Sequence, residues 1–156
     1  MPLTTIHGDL TTQHTDVVVN AANNALLRGG GVCGAIFSAA GERDLAEACS
    51  AIGHCDTGKA VVTGGFRLPA TYILHTVGPV WKGGGAGEEE LLRACYRNCL
   101  ILARSLKIVS IAFPLISSGI FGYPKERAYS VAVSEITEFF AAHEKETMEV
   151  FLVLYP

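Results

Sequence analysis

Val17-Val18-Val19-Asn20-Ala21-Ala22-Asn23-Asn24, continuing through Leu26-Leu27-Arg28-Gly29-Gly30-Gly31-Val32-Cys33-Gly34-Ala35-Ile36-Phe37, reads as a strand, a polar turn and a glycine loop that opens a helix. A β-branched run without polar alternation suits a strand buried on both faces. Glycines let backbone N–H groups approach a ligand closely, and the N-terminus of the helix behind them favours negative charge. The stretch therefore predicts an anion-binding loop with the amides of Asn20 and Asn23 beside it.

Outward from this stretch, strands and helices alternate. Strands are predicted at Leu3–His7, Asp16–Ala21, Lys59–Thr63, Tyr72–Val77, Ile108–Phe113 and Glu149–Leu154. Helices are predicted at Gly31–Ala40, Glu42–Ile52, Glu88–Leu106 and Lys125–Ala142. Spacings of three and four put Leu45, Ala48, Cys49 and Ile52 on one face of the second helix. The same rule groups Leu91, Cys95, Cys99, Leu102 and Leu106 on the third, and Ala128, Ala132, Ile136, Phe139 and Phe140 on the fourth. The alternation predicts an α/β fold: a three-layer α/β/α sandwich around a central mixed, mostly parallel six-stranded sheet.

The chain has 156 residues, the size of one domain, and no internal repeat or linker divides it. A hydrophobic content of 49% against 17% charged residues excludes a disordered chain. The net charge of −3 argues against duplex nucleic acid as a partner, because Lys and Arg contacts supply that affinity. It leaves room for a small anion held by backbone N–H groups. The five cysteines, Cys33, Cys49, Cys55, Cys95 and Cys99, form no CxxC pair and lack spaced histidines. They read as free core thiols, with no metal site, in a reducing compartment. With no charged leader and no run long enough to span a bilayer, a cytoplasmic monomer is expected.

In parallel sheets ligands sit outside the carboxyl ends of the strands. Asn20, Asn23 and the glycine loop follow the second strand; Pro114 through Tyr123, with its Ser117-Ser118-Gly119-Ile120-Phe121-Gly122 segment, follows the fifth; Tyr155 ends the sixth. Two glycine loops facing each other across one edge suit a diphosphate that bridges two sugars. Neither loop is a Walker A or a GxGxxG motif, which argues against a nucleoside triphosphatase or a Rossmann dehydrogenase.

Seven segments, in order along the chain, carry a family resemblance: Gly8-Asp9-Leu10-Thr11; Val19-Asn20-Ala21-Ala22-Asn23; Gly29-Gly30-Gly31-Val32; Cys55-Asp56-Thr57-Gly58; Leu68-Pro69-Ala70; His75 through Trp81; and Ala112 through Pro124. The chain resembles a macrodomain, the ADP-ribose-binding module, and is most similar to the bacterial MacroD-type branch. The resemblance implies one macrodomain over residues 1–156. It also implies a final helix beyond Tyr155, which the chain as given is expected to lack.

The resemblance further implies that Asp9 accepts from the adenine amine, with Leu10 beside it, and that Tyr155 stacks on the adenine ring. From the residues alone, Asp9 is equally a turn or capping residue and Tyr155 a strand-end aromatic. Gly30, Gly31, Val32 and the Ser117–Gly122 loop would hold the diphosphate. Phe121 would pack on the distal ribose, or else anchor its loop. Asn23 would bond the distal ribose and help place the attacking water, while Asn20 would support the loop by bonding its backbone. His75, within a strand, reads as a satisfied core histidine, and Trp81 as packing over a loop. Glu88-Glu89-Glu90 reads as an acidic first helical turn. Lys125, Glu126 and Arg127 read as a solvated helix start.

At Cys33 the chain departs from the pattern, because MacroD-type hydrolases carry an aspartate there. A neutral thiol is a weak base and a poor acceptor. A thiolate at the helix N-terminus is the other reading. The resemblance implies hydrolysis of mono-ADP-ribose from acidic side chains of proteins, or deacetylation of O-acetyl-ADP-ribose, with ADP-ribose and ADP-ribosylated proteins as partners. Neither reaction requires a metal or organic cofactor, and none is expected. A non-catalytic ADP-ribose reader is the alternative, with Cys33 as its mark; an RNA-binding cleft is disfavoured by the acidic balance.

Overall fold

The computed structural model describes residues 3–155; Met1, Pro2 and Pro156 lie outside the described residues. Six strands form one sheet: β1 (Leu3–His7), β2 (Val17–Ala21), β3 (Ala60–Gly64), β4 (Tyr72–Thr76), β5 (Ser110–Phe113) and β6 (Glu149–Leu154). Four helices complete the fold: α1 (Gly31–Ala40), α2 (Glu42–Ile52), α3 (Glu88–Ser105) and α4 (Lys125–Ala142). The strand order is β1-β6-β5-β2-β4-β3, and every pairing is parallel except β3 with β4. This is the mixed, mostly parallel sheet of an α/β sandwich.

Strand β2 lies inside the sheet, between β5 and β4, which explains its unbroken valine run. Val17 and Val19 pack with α3 and α4, and Val18 packs with α1 and α2. Each of the three is at most 1% exposed. Burial of a valine side chain is worth about 1.5–3 kcal/mol, so this strand fastens both helical layers to the sheet.

Adjacent strands β2 and β5 run parallel, yet the chain leaves β2 for α1 on one face and β5 for α4 on the other. Strand order reverses at such a point, and the departing connections leave a crevice above the carboxyl ends.

Three predicted strands start later in the structure, β2 at Val17, β3 at Ala60 and β5 at Ser110. Val109 N–H donates to Asp16 Oδ2 at 2.8 Å, and Lys107 takes a positive φ of 56°, so the chain is still turning where Ile108 was expected to begin a strand. Three helical faces are also corrected. Ile52 is exposed, because α2 stops at Gly53 and the chain turns away. The buried face of α3 is centred on Leu92, Cys95, Tyr96, Cys99, Leu100 and Ala103, which leaves Leu91, Leu102 and Leu106 half-buried at its margins. On α4, Val131 and Glu135 join the buried face and Phe140 is half-buried.

Glu88, Glu89 and Glu90 form the acidic first turn of α3, as expected, and Glu88 has a second part that the sequence did not show. It is buried, and its carboxylate accepts N–H bonds from Lys82 (2.8 Å), Gly84 (2.9 Å) and Ala86 (2.6 Å), folding a separate loop, residues 82–87, back onto the start of α3. These bonds, with that of Lys82 foremost, hold the carboxyl down at about 2. Just before this loop stands Trp81, whose ring lies 4.7 Å from that of Tyr123 and under the Arg127 guanidinium. Among the described residues, no helix is long and apolar enough to cross a membrane.

Candidate functional site

A cleft of about 1000 Å³ opens above the carboxyl ends of β2, β5 and β6. That is the upper end of the range for small-molecule sites. One wall is the glycine loop. Gly30 caps α1 with no side-chain bond, and the first intrahelical N–H bond runs from Gly34 to Gly30 O. The first-turn N–H groups of α1 therefore point out of the helix, with the positive end of its dipole behind them. Gly31 takes a φ of 58°, a conformation that favours glycine.

The opposite wall is the loop after β5. Ser118 N–H bonds Leu115 O, Gly122 N–H bonds Gly119 O and Tyr123 N–H bonds Ser117 O. These bonds curl the loop, and among the described residues the N–H groups of Gly119, Ile120 and Phe121 have no protein acceptor. Tyr96 holds the loop from below: its hydroxyl donates to Pro114 O at 3.2 Å and accepts from Ile116 N–H at 3.1 Å. Trp81 N–H donates to Phe121 O at 2.8 Å from the side. The two walls meet at Gly30, where a methyl group would stand 3.1 Å from Ile120 Cδ1. The arrangement is two opposed sets of N–H donors at a topological switch point, suited to a diphosphate.

Most of the predicted residues line this cleft: Asp9, Leu10, Asn23, Gly30, Gly31, Val32, Cys33, Ser117, Ser118, Gly119, Ile120, Phe121 and Tyr155. Gly122 does not reach the wall; its φ of 76° turns the chain out of the loop. Asn20 is corrected. It is fully buried behind the cleft, and its amide bonds His75 and Cys33 rather than the loop backbone. The loop is bonded instead by Asn23, whose Nδ2 donates to Leu27 O at 2.8 Å and whose Oδ1 accepts from Leu27 N–H at 3.0 Å.

Asp9 Oδ1 accepts from Thr11 N–H (2.9 Å) and from the Thr11 hydroxyl (2.7 Å), which caps the short 3₁₀ turn at Leu10–Thr12. Its Oδ2 is not used in these bonds. Tyr155 is 78% exposed at the rim, a large aromatic face left open to a planar partner. Cys33 is buried in the third position of α1, with its thiol 3.8 Å from Leu27 O. His75 is the satisfied core histidine that its strand position predicts, and burial lowers it to about 4.

Among the wall residues that escaped the sequence reading are His7 at the end of β1 and Lys125, Glu126, Tyr129 and Ser130 on α4. Lys125 and Glu126, read as solvated, border the cleft because α4 starts directly at the end of the β5 loop. Tyr129, one turn further, bonds Thr5 Oγ1 at 3.0 Å. A helix that begins at the carboxyl edge must present part of its first two turns to the crevice, and that was the available signal. Among the described residues, no group of three or more His, Cys, Asp or Glu side chains is placed to hold a metal ion.

The fold and this cleft define a class, and comparison with known proteins gives it a family. The macro domain family model matches residues 19–132, so the chain belongs to the macro domain family. A macro domain-containing protein of Methanosarcina mazei is 55% identical, with 95% of this chain and 78% of that protein covered. An O-acetyl-ADP-ribose deacetylase of Salmonella typhimurium is 47% identical, over 98% of this chain and 87% of that protein. The Oceanobacillus iheyensis macrodomain, solved with ADP, superposes with a TM-score of 0.91 at 43% identity, covering 97% of this chain and 82% of that one.

Proposed function

We propose that this protein binds ADP-ribose in the cleft and hydrolyses an ADP-ribosyl linkage there, either the ester of O-acetyl-ADP-ribose or mono-ADP-ribose on an acidic side chain. The observation that carries this reading is the pair of opposed N–H loops at the β2–β5 switch point, Gly30–Val32 and Gly119–Phe121. The likeness to an O-acetyl-ADP-ribose deacetylase supports the same reading.

In this pose the adenine lies toward Asp9 and Tyr155, the diphosphate between the two loops, and the distal ribose toward Asn23 and Phe121. Two of the four hydrogen-bonding positions of the Asn23 amide are taken by Leu27. The second N–H and the second lone pair remain for a ribose hydroxyl or a water. For the acetyl ester, that water attacks the carbonyl carbon, the acyl C–O bond breaks, and the ribose oxygen leaves with a proton as acetate is released. For the glycosidic link, the anomeric C–O bond breaks through an oxocarbenium-like state, the side-chain carboxylate leaves, and water adds to the sugar carbon and gives up a proton to that carboxylate or to solvent. In both, the fixed N–H dipoles hold the diphosphate without rearrangement during the reaction.

Cys33 favours a second reading. It supplies no carboxylate beside the reacting end, and a reader that binds ADP-ribose without cleaving it needs none. Calorimetry with ADP-ribose, followed by turnover assays on both substrates, tests the proposal. Binding with release of product supports hydrolysis, binding without release supports the reader, and absence of binding rejects both.

A further inference from the structure

Behind the cleft, side chains from β2, β4, β3 and α1 form one hydrogen-bonded row. Asn20 and His75 are register partners on β2 and β4, and both are fully buried. Asn20 Nδ2 stands 3.1 Å from His75 Nδ1 and 3.7 Å from Cys33 Sγ. On the other side of the ring, His75 Nε2 is 2.9 Å from Thr63 Oγ1, with Cys49 Sγ at 4.0 Å. The Thr63 hydroxyl in turn donates to Gly64 O at 3.2 Å.

One direction of donation satisfies this row. Thr63 spends its hydrogen on Gly64, so it accepts from His75 Nε2–H. A neutral imidazole has one donor and one acceptor, so Nδ1 is bare and accepts from Asn20. The second amide hydrogen of Asn20 then faces Cys33. Asn20 Oδ1 is left buried without a partner among the described residues. An orphaned buried acceptor is unfavourable, and it persists here because both hydrogens of the same amide are engaged. The reversed row would turn the amide carbonyl to Cys33, whose thiol hydrogen is already directed at Leu27 O at 3.8 Å.

We propose that His75 is a positioning residue for the cleft: held as the Nε2–H tautomer by Thr63, it fixes the Asn20 amide so that an N–H, and not the carbonyl, meets Cys33 Sγ. The row thereby makes Cys33 a hydrogen-bond acceptor at the wall of the anion site. An N–H bond to sulfur favours the thiolate, which is the reactive form. Any effect of the row on turnover rests on the function proposed above; the row itself does not. The remaining cysteines do not line the cleft, and burial pushes all four up, Cys49 and Cys95 to about 11. Among the described residues, Cys33 is the cysteine on the cleft wall, and so the one that a reagent entering the cleft meets.

Alkylation by iodoacetamide at one fixed pH, resolved by peptide mass spectrometry, tests this. In the unaltered protein Cys33 reacts first. His75→Phe keeps the ring volume and removes both nitrogens, and is expected to slow Cys33 about threefold or more, the effect of one lost hydrogen bond to the thiolate. His75→Asn returns an acceptor near the Nδ1 position and is expected to restore most of the rate. Thr63→Val, which releases the tautomer, is expected to slow Cys33 by a smaller factor. ¹⁵N NMR of the unaltered protein should place the His75 proton on Nε2, a readout that holds even if His75→Phe does not fold. A purely structural histidine predicts the opposite kinetics, with Cys33, Cys49 and Cys55 all reacting faster as the core loosens. That result, an unreactive Cys33 in the unaltered protein, or a proton on Nδ1 would overturn the proposal. Failure of added ADP-ribose to shield Cys33 would count against the proposed ligand while the variant rates still decide the row.

Discussion

Asn23 closes a ring on the backbone of Leu27, donating to its carbonyl at 2.8 Å and accepting from its N–H at 3.0 Å. This staple sets where the Gly29–Gly31 loop begins, and the same amide has two positions left for substrate. The residue therefore has a structural and a chemical share that a variant can separate. Asn23→Ala is expected to lower turnover by about a hundredfold, the scale of one lost transition-state contact. ADP-ribose affinity should fall by less than about tenfold and Tm by roughly 2–4 °C, because only the two staple bonds are lost from the fold. Steady-state kinetics, calorimetry and thermal melts check the three numbers; equal losses of turnover and affinity would reduce Asn23 to a loop staple.

Gly78 leaves space for the β5 loop. A methyl group there would overlap the Ser117 hydroxyl and stand 2.7 Å from Ile116 Cγ2. Ser117 cannot easily yield, being buried with a φ of 67°. Gly78→Ala is expected to cost about 1–3 kcal/mol by overpacking, read by denaturant unfolding. It should also weaken ADP-ribose binding more than a surface variant of equal stability, because the displaced loop carries one set of N–H donors.

Tyr96 links the core of α3 to the same loop through two bonds to its buried hydroxyl. Burial raises the phenol well above its ordinary range, so it remains a neutral donor and acceptor. Tyr96→Phe leaves Ile116 N–H without an acceptor, and the expected loss is about 1–3 kcal/mol. A loss within about 0.5 kcal/mol of zero would mean that the loop holds its shape without this tie.

Two groups give the acid side of the stability curve separate windows. His75 is lowered by burial from 6.5 to about 4, so the unfolded chain binds its proton first. Its contribution is full above 6.5 and is lost as pH falls through about 4. Glu88 is lowered from 4.5 to about 2 by the loop N–H groups, so its contribution is full above 4.5 and lost as pH falls toward 2. Unfolding free energies measured across pH should show less slope for His75→Phe in the upper window and for Glu88→Gln in the lower one. Parallel curves would contradict the assignment.

Much of this was legible in the sequence, for identifiable reasons. The bounds of α1, α2 and α4 follow from Gly30, Gly41, Gly53 and Pro124 at their ends, which act locally. The two glycine loops were legible because backbone exposure needs glycine, and their shared edge follows once the strands are parallel. What escaped depends on distant partners. Nothing near Glu88 announces that its carboxylate will be capped by a loop folding back on it. Asn20 bonds a ring 55 positions away on the next strand of the sheet, a partner that its neighbours in sequence do not announce. The rotation of the α3 face is set by packing against α4 and the sheet, which a spacing rule alone does not fix.

Cys33→Asp separates the enzyme from the reader. If the protein is a reader for want of a carboxylate, this change should create turnover or raise it by about tenfold or more, as a positioned carboxylate does in general base catalysis. A fall in an existing activity would instead give the thiol a catalytic part.

A single-turnover assay with O-acetyl-ADP-ribose and with a protein mono-ADP-ribosylated on Glu or Asp, run on a preparation whose ADP-ribose binding is measured by calorimetry, tests the central claim most directly. The account predicts binding, release of free ADP-ribose from at least one substrate, and loss of that release in Asn23→Ala. Binding with neither substrate cleaved would contradict it.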